Sequence, residues 1–170
     1  ENALDAATTE NYNTVLGYGA AGAIRHDDAD HNVIIGRNAG IGGTAATTDC
    51  VIIGSGAGES GNVGGADNVF IGKLAGAGTW NAGSMEKNIA IGTNAMGTGT
   101  KNSADENLAI GYSALEDVTT GDNNIAIGFK AAQNLTSGIS NVIISPDTGA
   151  SGTTPGVITG NYNVGIGYES

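Results

Sequence analysis

Five side chains able to ligate a metal are packed into six residues at His26-Asp-Asp-Ala-Asp-His31. Imidazole and carboxylate together suit several divalent ions. Asp28, Asp30 and Asn32 also imitate the opening of a calcium loop, in which oxygen ligands alternate along the chain. Val33, however, stands where that loop needs Gly, and Ala39 where it needs a bidentate Glu. Asp28, Asp30 and His31 are therefore weak metal candidates beside the plainer expectation of a solvated polar loop. Carboxylates also recur with a rhythm elsewhere: Asp30, Asp49, Asp67, Glu86, Asp105 with Glu106, and Asp122. If the segments carrying them stack, like charges lie one strand apart and repel. Water and salt would screen such an edge, or Ca2+ would bridge it. A screened edge with no cofactor is the expectation.

Gly17-Tyr-Gly-Ala-Ala-Gly22 satisfies a dinucleotide fingerprint, which needs a helix next to aim its N-terminus at a pyrophosphate. The residues after it are polar and offer no helical apolar face, so nucleotide binding is not expected. Trp80, the single tryptophan, lies in the loop-like stretch Gly78-Thr-Trp-Asn-Ala-Gly83. An amphipathic ring in such a place suits a sugar or a receptor, and Trp80 is the leading residue for receptor contact. Catalysis finds no footing. The chain has no Gly-x-Ser-x-Gly elbow and no His-Glu-x-x-His, and its two His share one loop. No enzyme is expected.

What must position these residues is a repeat. Asn, two or three apolar residues, Gly, two variable residues and Ala return along the chain, as in Asn32-Val-Ile-Ile-Gly36-Arg-Asn-Ala39 and Asn88-Ile-Ala-Ile-Gly92-Thr-Asn-Ala95. Nine copies can be phased, with Ser145 in place of one Gly and Cys50 in place of one Asn. Self-similarity at a fixed period marks a solenoid, in which each copy is one stacked coil. The three residues between Asn and Gly are mostly β-branched, which favours strand over helix. Asn suits one corner and Gly, with its access to positive φ, the other. The Ala column predicts close packing. The expectation is an all-β parallel solenoid of about nine coils, with 1–170 a single repeat domain and a segment of a longer fibre chain.

Side chains alternate along a strand, so its first and third residues share one face and the second takes the other. The first and third columns, such as Val33 with Ile35 and Ile89 with Ile91, are expected to fill the coil. The middle column, apolar in every copy, would then face water: Val15, Ile34, Ile52, Phe70, Ala90, Ala109, Ala126 and Ile143. A continuous apolar stripe marks an interface. These eight residues are the expected contact of a parallel homotrimer.

The phrases Asn-Ile-Ala-Ile-Gly-Phe-Lys-Ala-Ala (124–132) and Asn-Leu-Ala-Ile-Gly-Tyr-Ser-Ala-Leu (107–115) resemble repeats of bacteriophage tail fibres and of trimeric autotransporter adhesin heads. The resemblance covers essentially the whole chain and implies a trimeric fibre that attaches to a surface. Its coils are longer and less even than adhesin-head repeats, which favours the phage-type fibre. The resemblance implies location on a virion, or otherwise at a cell surface, and a host receptor or glycan as partner. A bacterial adhesin head is the alternative, as is a stand-alone cation- or ice-binding solenoid. Ice binding wants a flat Thr array, and the Thr pairs here fall in loops of unequal length.

Composition agrees with a thin rod. Thirty Gly among 170 residues, in phase with apolar residues, and 5% aromatics fit a narrow ordered core. A net charge of −11 repels nucleic acid and anionic lipid. No apolar run approaches the roughly 20 residues of a membrane helix, so membrane insertion is not expected. The lone Cys50 excludes an intrachain disulfide.

Overall fold

The computed structural model describes residues 12–22, 29–41, 47–59, 65–80, 85–146 and 160–167. The repeat phrase produces one three-residue strand per copy: β1 (Thr14–Leu16), β2 (Val33–Ile35), β4 (Val51–Ile53), β6 (Val69–Ile71), β8 (Ile89–Ile91), β10 (Leu108–Ile110), β11 (Ile125–Ile127), β12 (Val142–Ile144) and β13 (Val164–Ile166). They pair in parallel, in chain order, as one nine-stranded sheet. Equivalent residues sit opposite one another throughout, as Ala90, Ala109 and Ala126 do. Two short loop ladders add β3 (Thr47–Thr48) with β5 (Gly65–Ala66), and β7 (Thr79–Trp80) with β9 (Thr100–Lys101). No helix occurs among the described residues.

The chain is a parallel β-solenoid of about seven turns, fewer than the nine coils expected. Nine rungs enclose only eight connections, and much of the one from β12 to β13, residues 147–159, lies outside the described residues. In the seven repeats from Gly17 to Ala131 the corner after the strand is a four-residue turn in which the Ala N–H donates to the Gly carbonyl, at 3.3 Å for Ala95 and Gly92. Its third residue takes positive φ, from 53° at Ser113 to 67° at Gly56. That is the signature of a type II turn. The residue just before each Asn column position is also left-handed, from Asp49 at 54° to Asp67 at 61°.

The core is narrow, and several turns exchange volume across it. Where the middle strand residue is large, the residue after the corner Ala is Gly: Ile34 with Gly40, Ile52 with Gly58, Phe70 with Gly76. A Cβ on Gly76 would stand 2.6 Å from the Phe70 ring. With Ala90 and Ala109 in the middle, that later position enlarges to Met96 and Leu115, both fully buried, whereas the Ala126 turn has Ala132 there and buries Leu135 further on. Interiors packed to crystal density tolerate such paired exchange and little else. The Ala column from Ala20 to Ala131 is wholly buried, as its small side chains suggest.

This packing reverses the assignment of faces. Ile34, Ile52, Phe70, Ala90, Ala109, Ala126 and Ile143 point into the coil and are buried, and Val15 packs against the same core. They are not available to a neighbouring chain. The first and third columns, expected inside, point outward, and none of their residues is buried. The reason lies in the corner geometry. The Asn side chain turns inward, and alternation from it sends residues one and three out and residue two in.

Candidate functional site

The outward face of the nine-stranded sheet is the most distinctive surface of the molecule. Its two columns hold eighteen positions, all apolar except Thr14. One runs Thr14, Val33, Val51, Val69, Ile89, Leu108, Ile125, Val142, Val164, and the other Leu16, Ile35, Ile53, Ile71, Ile91, Ile110, Ile127, Ile144, Ile166. Nine strands at about 4.8 Å spacing and two columns of side chains give a strip of about 40 Å by 10 Å. Patches of that size on a single chain are commonly functional. At one flank Tyr112 and Phe129 stack at 5.3 Å, with the Lys130 ammonium 5.6 Å from the Phe129 ring centre.

A ladder of buried amides runs along one edge of this sheet. Asn107 has every polar position of its amide filled. Its Nδ2 donates to Asn88 Oδ1 at 3.2 Å and to the Gly121 carbonyl at 2.8 Å, and its Oδ1 accepts from the Asn124 N–H at 2.9 Å and Nδ2 at 3.1 Å. Asn88 and Asn124 repeat the pattern up and down the rod. Full satisfaction is what lets an amide sit in a core.

Cys50 interrupts the ladder. The thiol takes the amide's place, accepting from the Asn68 N–H at 3.4 Å and donating toward the Thr48 carbonyl at 3.2 Å. Burial, the leading cause, raises its pKa, so the thiol stays protonated and structural. Cys50→Asn should complete the ladder and stabilise the fold by about 1 kcal/mol, read as a higher urea midpoint with unchanged slope. An unchanged or lower midpoint would show that sulfur already serves this site as well as an amide does.

The residues singled out for chemistry are dispersed. Asp28 lies outside the described residues. His31 is exposed and stacks on Tyr12 at 5.0 Å, while Asp30 accepts the Asp49 N–H through its backbone carbonyl. Among the described residues no three His, Cys, Asp or Glu side chains converge as metal ligands would. The recurring carboxylates fall into two adjacent columns rather than one edge. Asp105 and Asp122 each accept, at 2.9 Å, the backbone N–H of the residue two before the preceding Asn, namely Glu86 and Asp105. Burial first, and then the neighbouring acids, raises the pKa of Asp105. Trp80 contributes backbone to β7, opposite Lys101 of β9.

Lys101 escaped the sequence reading. It is fully buried, and its ammonium donates to the carbonyls of Ala77, at 3.0 Å, and Thr98. Burial draws its pKa down to about 8, against the opposing pull of Asp117 and then Glu116. A sealed amine reaches no ligand, and its part is to staple the loop ladder to the coil. The outward columns were assigned to the core for a different reason: all three columns are apolar, and alternation fixes only that neighbouring residues take opposite faces.

No family model, no curated protein and no solved structure matches this chain. No helix among the described residues is long and apolar enough to cross a membrane.

Proposed function

We propose that this chain is a structural segment of a surface-attachment fibre, assembled as a parallel homotrimer through the outward face of its sheet. The observation that carries the reading is that face: two apolar columns along nine strands, none of them buried within the chain. Two columns suit three-fold closure, since each chain offers one column to each neighbour. Three strips would take about 1,200 Å² of apolar surface out of water in all, about 400 Å² at each of three contacts. The resemblance of the repeat to phage tail fibres and adhesin heads supports attachment, with a phage fibre favoured by the longer coils. The loops, including the one that carries Trp80, are then the surface left for a host receptor or glycan.

Light scattering on the purified chain should give three times the monomer mass. Ile91→Asp and Ile127→Asp together should yield a monomer with unchanged circular dichroism. A parent chain that is monomeric at micromolar concentration would overturn the reading.

A further inference from the structure

The apolar face is bordered by two largely exposed edges of opposite character. Along the edge after each phase position run Tyr18, Arg37, Ser55, Lys73, Thr93, Tyr112, Phe129 and Pro146. Along the edge before each Asn column position, between Tyr12 at one end and Ser140 and Tyr162 at the other, run His31, Asp49, Asp67, Lys87, Glu106 and Asn123. Lys87 pairs with Glu106 within its own edge at 3.7 Å. That leaves Arg37 and Lys73 as the exposed cations of the first edge and Asp49 and Asp67 as exposed anions of the second. None of these four has an ion-pair partner among the described residues.

Symmetry decides which edge meets which. Rotation about an axis parallel to the rod brings the first edge of one chain against the second edge of the next. An antiparallel pairing instead brings like edges together, setting the mainly acidic second edge against itself. Like-charge juxtaposition at an interface is a strong bar to a wrong partner. Lys73 and Asp67 belong to the same turn, one on each side of β6, so a parallel neighbour without axial offset places them at one level. Arg37 then lies one rung, about 4.8 Å, from the neighbour's Asp49.

We infer that a second copy of this chain docks parallel and in register, with Lys73 on one copy paired to Asp67 on the next. The apolar columns alone do not set that alignment. Val and Ile repeat at every rung, and a slide by one rung buries nearly the same area, so flat apolar faces specify register weakly. This inference rests on the parallel homotrimer proposed above and adds the charge pair that aligns its copies.

A charge-exchange series tests it. Lys73→Glu alone sets two carboxylates against each other across the contact, and Asp67→Lys alone sets two ammonium groups together. Each should weaken the trimer at least tenfold in low salt by sedimentation equilibrium, a rough expectation from reversing the pair at three contacts. The combined Lys73→Glu/Asp67→Lys chain restores opposite charges and should recover the parent association. The three variants should share the parent's circular dichroism, since both positions are exposed. A stable parent trimer that is indifferent to both single reversals, or a combined chain weaker than either single one, overturns the inference and leaves the fibre reading standing. A monomeric parent removes both.

Discussion

Ala109→Asp should abolish the fold, while Ile110→Asp, one residue along, should leave it intact and release a monomer. Ala109 is wholly buried between Ala90 and Ala126 in the stacked sheet, in the turn that also buries Leu115. A carboxylate there has no partner and little room. Its desolvation costs several kcal/mol even after it takes a proton, and overpacking adds about 1–3 kcal/mol. Against a total stability of about 5–15 kcal/mol, that is a large share. Ile110 points outward and is only partly covered, so the same charge there meets water in the monomer and repulsion in the trimer. Circular dichroism and light scattering on the two variants separate the outcomes. A folded monomer from Ala109→Asp, with loss of fold from Ile110→Asp, would falsify the orientation of the strands.

Gly111→Ala should cost at least about 3 kcal/mol and leave a chain that melts well below the parent. Gly111 holds φ at 135°, outside the range that L side chains readily adopt. Conformational strain of this kind is worth about 1–3 kcal/mol. A Cβ on Gly111 would also overlap the carbonyl oxygen of Gly128 in the next turn, which is backbone and cannot rotate away. The same stacking holds at Gly36, Gly54, Gly72 and Gly92, so accommodation at one rung strains the next. Gly167 separates the two causes, because it has φ of 121° and nothing within 4 Å of the place a Cβ would take. Gly167→Ala should lose only the conformational part. Urea midpoints of the two variants measure the difference, and equal losses would show that stacking contributes nothing.

Much of the architecture was legible because the repeat states it redundantly. The β-branched triplet gives the strand, the Asn and the Gly give its two corners, and the recurring Ala gives a point of close packing. Each statement is local, and each appears again one turn later. The exception at Cys50 was equally readable from its place in the Asn column, although its ladder geometry was not. The Ser145 exception marks a changed corner, since the position there lacks the positive φ of its glycine equivalents.

The candidate site was half legible. That one face of the strand is core and the other an apolar surface came from alternation alone, and so did self-association as the reading to test. Which column belongs to which face did not, because all three are apolar and period two fixes only that neighbours differ. Closure of the coil decided it. The inward turn of Asn107 and its neighbours sets the parity, and the exchange of volume between Phe70 and Gly76, or Ala109 and Leu115, fills the narrow interior that results. Burial of Lys101 likewise arises only when β9 folds beside β7 and two carbonyls some distance apart in sequence meet its ammonium. The sequence by itself determined the stacked parallel sheet, its corners and its amide column, which are local preferences repeated in step. The tertiary structure alone decided inside from outside, because that choice depends on the space left when turns close on one another.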